Sequence, residues 1–202
     1  MMVAGDPRSV DIDCKGNRCP LKNVVVKPEI VGNGDITVGI IGEAPYIEEV
    51  KYGRPFIGST GLFLRQYFDL DKYRYHIFNS VMCLSYDGGV PVKPSEMSQS
   101  DYALRMKKCS RYRDQVLDLL DDESVVMVFG RFAKLAIFGD ASTPNSVFPI
   151  SHFDMLMQKM FYMFSNYHPA HILYRPSSKG VFDDIMIASG VFKMKNGENT
   201  DD

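Results

Sequence analysis

Four short apolar runs, each followed by a turn and then by sequence with helical patterning, constrain this chain more than any other feature. ITVGII (Ile36 to Ile41) ends at Gly42, and YHIFNSVM (Tyr75 to Met82), SVVMVFG (from Ser124) and MFYMFSN (from Met160) follow in order. Runs of this length bounded by turn residues read as buried strands. Between and after them lie candidate helices. STGLFLRQYF offers Ser59 or Thr60 as an N-cap. A charged amphipathic helix is expected from about Gln99 to Leu120. RFAKLAIFG is closed by Gly139, and a last helix covers roughly Gly180 to Val191. Strand–helix alternation of this kind predicts an α/β fold, a three-layer α/β/α sandwich around a central, mostly parallel four-stranded sheet.

The chain has 202 residues, 45% of them apolar, enough to bury a substantial core in one domain. That domain is expected to span 1–195, with the polar residues 196–202 as a disordered tail. No apolar run approaches the ~20 residues of a membrane span, so no membrane partner is expected. The first residues, MMVAGDPRSVDIDCKG, lack an apolar signal core, and a cytoplasmic location is expected. The net charge is −2. Bulk charge therefore does not announce a nucleic-acid partner, and any such footprint is local.

Cys14 and Cys19 form one loose pair, while Cys83 and Cys109 stand alone far downstream. Four thiolates can hold zinc or an iron–sulfur cluster between distant segments. Equally, cysteines pack as small buried hydrophobes. Spacing alone leaves both readings open.

In open parallel sheets, ligands bind beyond the carboxyl ends of the strands. GEAPY follows the first predicted strand, Asn79 lies near the end of the second, and His168 follows the fourth. The alternation alone should bring Glu43, Asn79 and His168 to one edge. Taken singly these residues have plainer readings: a turn asparagine at a strand end, a satisfied histidine and, for Phe56, a core aromatic.

Together they carry a resemblance. GEAPYIEEVKYGRPFIGSTGLFL, FNSVMC, VVMVFGRFAKLAIFG and YHPAHILYRPSS, in this order, resemble the motifs of the family-4 uracil-DNA glycosylases. The likeness runs from Cys14 to about Ser178. It implies a uracil-DNA glycosylase, a monofunctional enzyme that flips uracil from DNA and hydrolyses its N-glycosidic bond, leaving an abasic site for base excision repair. It further implies a 4Fe–4S cluster held by Cys14, Cys19, Cys83 and Cys109. Three departures stand out. The first cysteine pair is C-x4-C where the family usually has C-x2-C, and Cys19-Pro20-Leu21 fits the second ligand. The stretch from Cys83 to Cys109 is longer than usual. Tyr46 also replaces the glycine that ends GEAPG.

The resemblance assigns roles whose chemistry is sound. Phe56 would stack on the extruded base. Asn79, an amide with acceptor and donor, would pair with uracil N3–H and O4 and reject cytosine, whose pattern there is reversed. His168 would donate to uracil O2 as charge flows into the leaving ring. Glu43 would stabilise the developing oxocarbenium ion and orient the attacking water, with Glu49 in reserve. Glu48 is expected to face solvent and His171 to be peripheral. Backbone around Gly42, Ala44 and Tyr46 would contact the base, and the Tyr46 ring would collide with the 5-methyl group of thymine. Phosphate contacts are expected from Arg175, Ser177, Ser178 and Lys179, with Lys51 and Arg54 in the first loop. The loop after Cys83 contains no histidine, so turnover is expected rather than the covalent trapping seen in one superfamily variant. Single- or double-stranded uracil-containing DNA is the implied partner, bound by a monomer. A catalytically inactive DNA-binding module of the same fold, serving replication or repair, is the alternative, and a zinc protein of unrelated role is a third reading.

Overall fold

A computed structural model describes residues 25–87, 90–93, 96–154 and 158–193. Cys14, Cys19 and the expected tail 196–202 lie outside the described residues. The four predicted strands all form, as β2 (Ile36–Gly42), β3 (Tyr73–Asn79), β6 (Ser124–Phe129) and β8 (Lys159–Asn166). They are mutually parallel and adjacent, in the order β3-β2-β6-β8. The sheet nevertheless has six strands rather than four. β1 (Glu29–Val31) adds antiparallel to β3 at one edge, and β7 (Ile150–Asp154) adds antiparallel to β8 at the other. These edge strands are short, and half-exposed edges lack the continuous apolar run that marks a central parallel strand.

Side-chain alternation along the central strands builds two cores. Val38, Ile40, Ile77, Met127, Phe129 and Phe164 face one layer, with Leu64 of α2 (Gly58–Arg65) and Phe182 and Ile185 of α6 (Lys179–Ala188). Ile41, Phe78, Val126, Val128 and Met163 face the other, with Tyr112 and Val116 of α3 (Gln99–Asp118) and Ala133 of α4 (Arg131–Phe138). A residue period of two on strands buried on both faces thus gives the three-layer sandwich.

Several local expectations need correction. The loop between β2 and α2 contains a short helix, α1 (Ile47–Tyr52), closed by Gly53 in the left-handed region at φ 65°. α2 begins at Gly58 with Ile57 at its N-cap, so Ser59 and Thr60 lie inside the first turn rather than capping it. The stretch after Cys83 forms a hairpin of β4 (Ser85–Asp87) and β5 (Val90–Val92). The last helix stops at Ala188, and α5 (Pro169–Tyr174) starts one residue after His168. Gly139 closes α4 at φ 75°, as the sequence suggested.

The strand order places a topological switch point between β2 and β6, where the chain reverses its direction of growth across the sheet. Gly42 pairs in register with Asn79, and Phe129 with Asn166. All four parallel strands therefore release their following loops at one edge. Among the described residues, no helix is long and apolar enough to cross a membrane.

Candidate active site

That edge holds a cavity of 680 Å³ lined by Glu43, Ala44, Tyr46, Glu49, Phe56, Asn79 and His168. Gly42 lies beneath it. A Cβ there would stand 2.4 Å from the Asn79 Oδ1 and 2.5 Å from the Phe56 ring. Only glycine lets the ring and the amide converge at the end of β2.

Glu49 ties the site together. One carboxylate oxygen accepts from the Phe56 backbone N–H at 2.6 Å and from the Asn79 Nδ2 at 3.2 Å. The other accepts from the Tyr46 N–H at 2.9 Å, capping α1. Burial raises the Glu49 pKa, and it outweighs the opposing pull of these three hydrogen bonds and of nearby His168. Asn79 is only 4% exposed, and its Nδ2 bond to Glu49 sets the amide orientation. One N–H and the Oδ1 remain for a ligand.

His168 is the N-cap of α5, and its Nδ1 accepts from the Ala170 N–H at 3.3 Å. An accepting Nδ1 carries no proton, so in the neutral ring Nε2 carries it and is the donor. The imidazole stacks beside the Phe56 ring, with centroids 5.9 Å apart and planes 22° apart. Phe56 meets Phe129 edge-on from below.

Glu43 spans the switch point. Its Oε1 accepts from the Phe132 N–H in the first turn of α4 at 3.1 Å. Its backbone carbonyl accepts from the Ser80 hydroxyl at 2.8 Å and the Tyr102 hydroxyl at 2.6 Å. Tyr102 is buried, and desolvation, with the Glu43 charge adding to it, pushes its pKa far up. It therefore remains a donor. A Cβ on Gly130 would come within 2.4 Å of Glu43 Oε1, so this glycine, at φ 91°, admits the carboxylate to the helix terminus.

The sequence reading missed three parts of the lining. The first turn of α2, from Gly58 to Gly61, forms one wall, and the closely spaced glycines of GRPFIGSTG were its signal. Lys93 reaches the mouth from the hairpin, its Nζ 5.9 Å from the Tyr46 ring centre. Tyr174, at the end of α5, is 84% exposed on the rim. Glu48 also lies on the rim and is exposed, as expected. His171 sits at the margin too. It stacks on Tyr167, bonds Ser178 at 3.2 Å, and has its pKa lowered by burial and by Arg175.

Of the expected phosphate contacts, Arg175 and Ser177 are exposed and Ser178 is partly so. Lys179 is ion-paired with Asp183. Arg54 is engaged otherwise than expected, because its guanidinium is bound to Glu29 on the edge strand β1. Lys51 lies beside the Tyr52 ring.

Cys83 and Cys109 are buried in one cluster with Tyr102, Met106 and Phe132. Residue 83 pairs with Val25 in an isolated bridge, and the Val26 N–H donates to the Met82 carbonyl at 2.8 Å. Val25, the first described residue, thus lies directly beside Cys83.

At the carboxyl edge of the parallel central strands, an aromatic surface, an oriented amide, an imidazole donor and a carboxylate thus line one cavity, an arrangement whose shape and polarity suit a planar, hydrogen-bonding ring. The chain belongs to the uracil DNA glycosylase superfamily, whose family model matches residues 30–187. It is similar to the type-4 uracil-DNA glycosylase of Sulfurisphaera tokodaii, at 27% identity over 152 residues, which are 71% of this chain and 64% of that relative. The corresponding protein of Archaeoglobus fulgidus is 24% identical over 164 residues, covering 76% of this chain and 75% of its own. That of Pyrobaculum aerophilum is 26% identical over 172 residues, covering 82% and 83%.

Proposed function

We propose that this protein is a uracil-DNA glycosylase that hydrolyses the bond between uracil and deoxyribose and leaves an abasic site. The observation that carries this reading is the Glu49-oriented Asn79 amide, which shares one cavity with the Phe56 ring and the His168 donor. An amide so held offers Oδ1 to a ring N–H and Nδ2–H to a carbonyl. Uracil presents that pair at N3 and O4, whereas cytosine presents an acceptor and a donor, leaving buried groups unpaired.

The chemistry follows from the geometry. The flipped base stacks on Phe56, a contact worth ~1–3 kcal/mol. As the C1′–N1 bond breaks, negative charge gathers on O2. His168, with Nε2 as its donor, donates there more strongly to the departing anion than to the ground-state base. Glu43 stabilises the positive sugar and orients the water that attacks C1′. Its Oε1 is occupied by Phe132, leaving Oε2 for this task. All three hydrogen bonds on Glu49 are internal, which makes it the positioning group for Asn79 and Phe56 rather than the water's partner. The Tyr46 ring at the mouth excludes a 5-methyl group. Arg175, Ser177 and Ser178 contact DNA phosphates beside the cavity.

The buried pair Cys83 and Cys109, with Val25 bridged to Cys83, fits a 4Fe–4S cluster completed by Cys14 and Cys19. Cys19 is six residues before Val25, a span of at most ~20 Å. Bound there, the cluster would cross-link three distant segments and carry no step of the hydrolysis. We place the activity in a single domain, 1–195, acting as a monomer in the cytoplasm.

The test uses anaerobically purified protein and an end-labelled oligonucleotide with one uracil, beside a thymine control, followed by alkaline cleavage of abasic sites. Cleavage at uracil alone is expected. Retention of the uracil strand without cleavage would overturn the enzymatic reading and leave a DNA-binding module of the same fold.

A further inference from the structure

Phe56 adopts φ 49°, in the left-handed region that non-glycine residues rarely enter. Local sequence does not produce this conformation, so the surroundings must impose it. Its N–H, its carbonyl and the carbonyl before it are all held. Glu49 binds its N–H at 2.6 Å. Arg65, from the last turn of α2, donates through Nε to the Phe56 carbonyl and through Nη2 to the Pro55 carbonyl, both at 3.1 Å. Nη2 also meets Glu29 Oε2 at 2.5 Å, while Glu29 Oε1 accepts from Arg54 Nε at 2.7 Å. The Glu29 and Arg65 side chains are 14% and 18% exposed. The Phe56 carbonyl also lies hard against the start of α2, where a Cβ on Gly61 would come within 1.6 Å of it.

We propose that Arg65, anchored by Glu29 on the edge strand β1, is the positioning residue that holds Phe56 in its left-handed backbone and so presents the ring to the extruded base. A planar fork can bind two successive carbonyls and a carboxylate together, which a lysine ammonium cannot match. Arg54 closes the arrangement from the other side of Glu29. Neither Arg65 nor Glu29 lines the cavity, and both act through Phe56. The catalytic consequence rests on the uracil-excision reading, but the conformational claim does not.

The test compares wild type with Arg65→Gln, Phe56→Ala and the double variant. Single-turnover excision of uracil from the oligonucleotide should fall on the order of 10- to 100-fold in Arg65→Gln, the scale of a small misplacement at a reacting centre. In the Phe56→Ala background the same change should cause no further loss, because the ring it positions is gone. Amide exchange at Phe56 should quicken by roughly tenfold or more in Arg65→Gln, with the β2 amides unchanged. If Arg65→Gln does not fold, Glu29→Gln, which removes only the anchor's charge, replaces it in each comparison. Losses that multiply in the double variant, or unaltered exchange at Phe56, would overturn the proposal. If wild-type protein does not excise uracil, the functional reading falls. Exchange at Phe56 then decides the clamp alone: faster exchange in the variant upholds it, and unchanged exchange overturns it.

Discussion

Replacing Glu49 by Gln tests how the site reads a base. The carboxylate accepts three hydrogen bonds, two on one oxygen and one on the other. Glutamine has one acceptor oxygen and one donor amide. If its oxygen replaces the one shared by Phe56 and Asn79, its NH2 faces the Tyr46 N–H and the cap of α1 is lost. If it turns over, its NH2 faces the Phe56 N–H and the Asn79 amide, and Asn79 must flip. Either way at least one charge-assisted bond disappears, worth about 1.5–3 kcal/mol. That corresponds to roughly 10- to 150-fold in kcat/KM for uracil excision. The flipped arrangement has a second signature. Asn79 would then offer its donor and acceptor in the order that cytosine matches, so the preference for uracil over cytosine should narrow. The assay is single-turnover excision from matched uracil and cytosine oligonucleotides, with Tm measured in parallel. A kcat/KM for uracil within about twofold of wild type would refute the reasoning, since the orientation of Asn79 would then not depend on the Glu49 charge.

Other outcomes follow from the same geometry. Glu43→Gln should lower kcat by about 100-fold or more while the protein still binds uracil DNA, measured by single-turnover rates and filter retention. Tyr46→Gly should open the mouth and raise excision of thymine relative to uracil, read from paired oligonucleotides. The Glu49 pKa is raised by burial above its ordinary 4.5, so the acid limb of kcat/KM should lie above pH 4.5 and should shift or vanish in Glu49→Gln. On stability the sign is opposite. The folded state holds the Glu49 proton more tightly than the unfolded chain, so this group's contribution is fully present below pH 4.5 and is lost as pH rises through the raised folded value. Thermal melts across that range in wild type and Glu49→Gln would isolate it. Anaerobic protein should show broad visible absorbance and contain iron, and Cys109→Ser should remove both along with thermal stability. Colourless protein containing zinc would refute the cluster.

The site and the fold were legible in the sequence to different depths. The four central strands could be read because a strand buried on both faces must be a continuous apolar run, and that signal is local. The edge strands β1 and β7 could not, because their pairing depends on a neighbour supplied by the fold. Glu43, Asn79 and His168 were placed at one edge from alternation alone, since parallel strands share a polarity. The duties of the two glutamates were a tertiary matter. Their order along the chain makes Glu43 the first acid and Glu49 the reserve. Only packing shows Glu49 surrounded by three donors and Glu43 reaching across the switch point to α4. Arg54 stays a surface cation, but the sequence does not show that Glu29, brought by β1, binds it. Phe56 is core, as its apolar character suggests, at 4% exposed, but only its contacts with Glu49, Arg65 and Gly61 at φ 49° show that it also lines the cavity. Strand polarity and hydrophobic period are written residue by residue. The orientation of an amide and the strain of a single backbone are imposed by partners up to 36 positions apart, such as Glu29 and Arg65, and so exist only once the chain has folded.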